Sequence, residues 1–156
     1  MSTVIAENRK PHSARESSLG LHPLDRVVAV LQRFGFVVGA MHMLSVPDRR
    51  SGILRSTPVT ILTVEGQRYL AAAREDAEWV VNARAAGRGV LARGRTDEHV
   101  ALSELTAAEG GPILAEIPRQ HPRGVSEFAW LYGVAADPEA FAALAPRCPV
   151  FRVTRA

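Results

Sequence analysis

The sequence is poor in the residues that announce a chemistry. A single cysteine, Cys148, excludes an internal disulfide framework and any cysteine-rich zinc site, and beside Arg147 it reads as an incidental thiol. The five histidines, His12, His22, His42, His99 and His121, are scattered, and no HExxH or Cys/His cluster occurs. There is no Walker A loop, no GxGxxG after a strand and no GxSxG elbow; "GRGVLARG" reads as a strand between turn glycines. Tyrosine is limited to Tyr69 and Tyr132, and lysine to Lys10. Long apolar runs are missing too. The strongest, "FGFVVGAMHMLSV", contains two glycines and a histidine and falls short of the roughly 18 residues a membrane helix needs. The start, "MSTVIAENRKPHSARESS", has no apolar core of the signal-peptide kind, so a cytoplasmic location is expected.

What the chain has instead is arginine. Its net charge is +3 and its pI about 9.7, an excess too small and dispersed to argue for a nucleic-acid partner. Guanidinium suits phosphate and carboxylate ligands, although a GC-rich coding sequence would raise arginine equally. With 156 residues, 47% of them hydrophobic, one domain with a real core is expected: a mobile tail over 1–20 and a single domain over 21–156.

The hydrophobic patterning alternates between periods. Val27, Val28, Leu31 and Phe34 predict a helix from Leu24 to Phe34. Met41–Val46, Val59–Val64 and Gln67–Ala73 read as strands, the last two joined by a tight "EG" turn. Residues 76–86 read as a helix, with Asp76 as N-cap and Gly87 as stop. Gly89–Gly94 and His99–Leu105 form a further strand pair. "TAAEGGPILAEIP" predicts a helix broken or started near Gly110–Pro112, "PEAFAALAP" a short helix after Asp137, and "PVFRVT" a closing strand. Hairpin-length links favour an α+β fold with a mainly antiparallel sheet, and about six strands can close into a small barrel without exposed edges.

One stretch concentrates polar chemistry. "PDRRSGILRSTPV" lies between two apolar runs and carries three arginines, a glycine and three hydroxyl residues. Gly52 gives the backbone freedom, so successive N–H groups can form an anion nest. Arg50 and Arg55 supply charge, Ser51, Ser56 and Thr57 supply donors, and Pro58 starts the next strand. The bland alternative is a solvated basic turn. Downstream, "EWVVNARAAG" sets Trp79 and Asn82 three apart on one helix face.

Taken together, the two segments resemble the deazaflavin-dependent nitroreductase family. That motif runs approximately Gly-Arg-Lys-Ser/Thr-Gly-x-x-Arg-x-x-Pro, then a hairpin, then Trp-x-x-Asn-Leu-x-Ala. Arg50, Ser51, Gly52, Arg55, Pro58, Trp79, Asn82 and Ala85 match it. Asp48 and Arg49 stand where the loop usually opens with glycine, "REDAE" replaces a glycine-rich segment, and Ala83 replaces leucine. The resemblance implies a split β-barrel that binds coenzyme F420. Arg50, Ser51 and Arg55, with Gly52, Ser56, Thr57 and Pro58 around them, would hold its phosphate and tail. Trp79, Asn82, Ala73 and Arg74 would support the deazaflavin ring. It implies hydride transfer to a small electron acceptor such as a quinone, enone or nitro compound. Ser56 and Tyr132 are the candidate catalytic donors, while Tyr132 in "SEFAWLYGV" is otherwise read as core. Quinone substrates would bring peripheral membrane contact, and split barrels often pair as homodimers. A non-catalytic F420 carrier, or FMN or haem in the same barrel, is the alternative reading.

Overall fold

The computed structural model describes residues 41–156. The tail over 1–20 and the helix from Leu24 to Phe34 lie outside the described residues. The strands are β1 (Met41–Pro47), β2 (Leu54–Val64), β3 (Gln67–Ala71), β4 (Arg88–Arg93), β5 (Thr96–Glu104) and β6 (Val150–Arg155). Between them lie α1 (Glu78–Ala86), α2 (Ala107–Leu114), the single turn α3 (Ile117–Gln120), a 3₁₀ turn at Pro122–Gly124, α4 (Val125–Tyr132) and α5 (Pro138–Ala142).

All strand pairs are antiparallel, and the sheet closes in the order β1-β2-β3-β6-β5-β4. This is the six-stranded antiparallel barrel with flanking helices that the patterning and the resemblance anticipate. Period-two alternation makes two cores from one sheet. Leu44, Val46, Leu70, Val100, Leu102, Phe151 and Val153 fill the barrel, joined by Val80 and Ala83 of α1. The neighbouring Leu62, Tyr69 and Val150 face outward and pack on Ile113, Leu114, Phe128, Phe141 and Leu144 of the helices. Each fully buried side chain of this size contributes about 1.5–3 kcal/mol. Arg68 and Glu98 share faces with Leu70 and Val100, and join in a bidentate pair at 2.8 Å and 2.8 Å.

Several boundaries differ from the sequence reading, each for a physical reason. The Glu65–Gly66 turn forms as read, with φ of 51° and 76°. β2, however, begins at Leu54 rather than Val59, because Leu54–Thr60 is already laddered to β1. Pro58 is therefore inside the strand. It is tolerated because β3 pairs only with Ile61–Val64, which leaves the Leu54–Thr60 stretch with β1 as its one partner strand.

Helix α1 is capped by Ala77, not Asp76, whose carboxylate is taken by the Arg74 guanidinium at 2.7 Å and 2.9 Å. Gly87 is its C-cap, as read. Pro112 lies within α2 instead of breaking it: Thr106 caps the helix by accepting from Glu109 N–H, and the break comes after Leu114. "SEFAWLY" belongs to α4, with Phe128 buried and Trp130 83% exposed. No helix among the described residues is long and apolar enough to cross a membrane.

Candidate functional site

The site is built along the partly unpaired edge of β2. At one end is the β1–β2 loop. Gly52 adopts φ 72°, open to solvent, and lets the chain reverse within a few residues. The expected anion nest does form, but Asp48 fills it. The Asp48 carboxylate accepts from Arg50 N–H at 2.9 Å, Ser51 N–H at 2.8 Å and the Ser51 hydroxyl at 3.1 Å. Gly52 N–H goes to the Asp48 carbonyl at 2.8 Å, and Ile53 N–H to Ser51 Oγ at 3.3 Å. These backbone bonds, led by that from Ser51, hold the Asp48 carboxyl below its usual range.

Asn82 completes the loop. It is fully buried on α1, and its Oδ1 accepts from Arg49 N–H and Arg49 Nη1, both at 3.1 Å. Arg49 also reaches Glu78 at 3.2 Å. Asn82 thus ties the loop to α1, and its Nδ2 has no partner among the described residues. Sequence reasoning passed over Asp48 and Arg49 as loop-forming residues. The signal was an Asp two and three residues before Arg50 and Ser51, the spacing of an Asx turn.

Every loop N–H from Arg49 to Ile53 is therefore occupied, and what remains for a ligand is side-chain charge. The guanidiniums of Arg50 and Arg55 make no hydrogen bond or ion pair among the described residues, unlike those of Arg49, Arg68, Arg74, Arg84 and Arg119, and the Arg55 charge helps hold the Asp48 carboxyl down. Ser56 is engaged by Ser45, its oxygen 2.7 Å from the Ser45 hydroxyl.

At the other end of the edge lies a cavity of about 360 Å³. Its floor is Thr57–Thr60 of β2 and its far wall is Ala71–Arg74, where β3 ends. Trp79 closes one side, with its ring 5.5 Å from that of Phe151, and His121, Glu127 and Phe128 close the other. Of the residues singled out in the sequence, Thr57, Pro58, Ala73, Arg74 and Trp79 line this cavity. Arg50, Ser51, Gly52, Arg55 and Ser56 lie toward the loop, and Asn82 lies beneath it. Tyr132 is outside the cavity lining, and its hydroxyl donates to the Ala73 carbonyl. The Cys148 thiol lies 3.6 Å from the same oxygen, and burial pushes it up to about 11.

The helical wall is pinned by side chains that imitate a strand. Gln120 accepts from Thr63 N–H at 3.0 Å and donates to Thr63 C=O at 2.7 Å, while His121 Nε2 sits 2.9 Å from Ile61 C=O. These are backbone groups of β2, so α3 and α4 are registered to the strand that floors the cavity.

No family model and no curated protein matches this chain, but solved structures do. The fold is a split barrel. An F420-H2 dependent reductase superposes with a TM-score of 0.52 at 16% identity, covering 74% of this chain and 95% of that one. A conserved hypothetical protein from Mycobacterium tuberculosis gives 0.51 at 14% identity, covering 80% and 78%. A protein of unknown function from Agrobacterium tumefaciens gives 0.54 at 14% identity, covering 81% and 54%. At these identities the likeness is one of fold. Among the described residues, no group of His, Cys, Asp and Glu could hold a metal ion.

Proposed function

We propose that this chain binds coenzyme F420 along the β2 edge and passes its hydride to an electron-poor acceptor. One observation carries the reading: a mainly apolar, ring-sized cavity continues along a single strand into Arg50 and Arg55, whose guanidiniums make no hydrogen bond or ion pair among the described residues, although the Arg55 charge also acts on the Asp48 carboxylate. Arg55 and Val59 are four residues apart, so about 13 Å of extended chain separates the charge from the cavity floor. That is the layout an elongated ligand needs when one end is flat and the other is phosphorylated. The cavity volume lies at the small end of the usual range for ligand sites.

In this reading Arg50 and Arg55 hold the phosphate, with Ser51, Gly52 and Thr57 shaping the rest of the cradle. Asp48 keeps the cradle in shape rather than binding the ligand. Asn82 positions Arg49 and so sets where Arg50 stands. Pro58, Ala73, Arg74 and Trp79 shape the slot and exclude water from its inner end. When bound, a reduced deazaflavin supplies a hydride, and the protein contributes orientation and a dry, charged surround. Titrating purified protein with F420 while following its fluorescence, with FMN in parallel, tests the reading. Saturable F420 binding, tighter than FMN, is expected; no saturable binding would end it.

A second reading has its own observation. Both hydroxyls singled out as catalytic, Ser56 and Tyr132, are engaged within the protein. A carrier that binds F420 without turning it over would need neither. Tight binding with no turnover on quinones, enones and nitro compounds would favour the carrier.

A further inference from the structure

The acceptor end of the cavity needs a proton as well as a hydride, and the groups there differ in their freedom to give one. Arg74 is committed to Asp76 through two bonds and does not release its proton near neutral pH. His121 has Nε2 against the Ile61 carbonyl. Thr57 and Thr60 are alcohols, too weakly acidic to act without a relay. Glu127, on the first turn of α4, stands apart. It lines the cavity, its side chain makes no hydrogen bond or ion pair among the described residues, and it is exposed to solvent.

We propose that Glu127 is the catalytic acid of this site, giving its proton to the oxygen of a conjugated carbonyl acceptor. The inference rests on the F420 reading above. In the step, a C–H bond of the reduced deazaflavin breaks and its electron pair forms a C–H bond to the acceptor's electrophilic carbon. The carbonyl oxygen gains negative charge and takes the proton of the Glu127 carboxyl. The deazaflavin, when bound, would be oxidised by two electrons and lose its ring N–H proton to water, and the acceptor would be reduced by two electrons. Glu127 is left as carboxylate and recovers a proton from bulk water through its open side.

Partial desolvation in the cavity wall raises the Glu127 carboxyl above its usual range. The positive charge of Arg74, which also pairs with Asp76, acts in the opposite direction. The remaining titratable neighbours are His121 in the same wall, Tyr132 on the same helix and Cys148 beyond it.

The test has a part that needs no cofactor. In protein carrying ¹³C-carboxyl glutamate, the Glu127 signal, identified by its loss in Glu127→Gln, should titrate above the ordinary glutamate range. Titration at or below that range would sink the proposal whatever F420 does. With F420 bound, Glu127→Gln should keep cofactor affinity within about threefold while kcat on a quinone or enone falls about 10²-fold or more. Wild type should lose kcat as pH rises through the Glu127 value, Glu127→Gln should show no such limb, and Glu127→Asp should recover part of the rate. Unchanged kcat in Glu127→Gln, or equal losses of affinity and rate, overturns the assignment. If wild type binds no F420, the cofactor reading falls and this one with it.

Discussion

The two ends of the β2 edge are finished in opposite ways. At the loop end every backbone N–H from Arg49 to Ile53 is bonded, Asn82 is locked beneath, and only the Arg50 and Arg55 guanidiniums are left over. At the cavity end the walls are mainly apolar, and one carboxyl, that of Glu127, has no bonded partner among the described residues. The loop end offers fixed charge on a rigid frame; the cavity end offers shape and one movable proton. In the proposed reading, holding and transforming a ligand fall to different secondary structures, a strand-linked turn and a helix.

The contrast can be broken first at its most buried point. Asn82→Ala removes both acceptor bonds to Arg49 and is expected to cost about 2–3 kcal/mol of stability in urea unfolding. The loop should then become the first site of proteolytic cleavage. An unchanged urea midpoint would mean that the loop does not depend on α1. Arg55→Ala should do the reverse: F420 binding weakened by about 1.5–3 kcal/mol, roughly 10- to 150-fold, with the melting temperature almost unmoved. A matching loss of stability would show that Arg55 is structural and that the two ends are not so different.

A smaller effect sharpens the same line. Asp48→Gly frees the N–H groups of Arg50 and Ser51, and inorganic phosphate should bind severalfold more tightly, at the expense of faster amide exchange across 49–53. The sign with pH follows. Asp48 has its folded value lowered, so its support for the loop is complete above the ordinary aspartate range and is lost as pH falls through the folded value. Amide exchange in the loop should accelerate only in that acid window. Smallest is the effect at Cys148. Its folded value is raised to about 11, so stability declines only as pH climbs above the unfolded thiol value, roughly 8.5. The thiol should resist alkylation at pH 8 until the protein unfolds; rapid labelling of native protein would contradict its burial.

The loop end was the more legible half in the sequence, because its parts are local. Arg50, Gly52, Arg55 and the Trp79–Asn82 spacing stand out within forty residues. Even there, Arg-Ser-Thr-Pro reads as turn chemistry, and the hydrophobic pattern starts β2 five residues late. Only the ladder to β1, a long-range pairing, makes Leu54–Pro58 a strand. The nest was visible, but not its occupant, since an aspartate beside arginines reads equally as surface charge. The cavity end left little trace. Glu127 is one glutamate in an aromatic-rich segment, and what singles it out is where α4 lands on the barrel. That position is set by Gln120 and His121 gripping β2 across sixty residues.

The carboxylate seated in the loop's own nest also bears on kinetics. Because Asp48 organises the backbone whether or not anything is bound, little ordering entropy is left for a ligand to overcome, and capture at this end should be fast. The two outward guanidiniums then act as a steering field. Raising ionic strength should slow association far more than it hastens release, because the Debye length shortens before any close contact is lost.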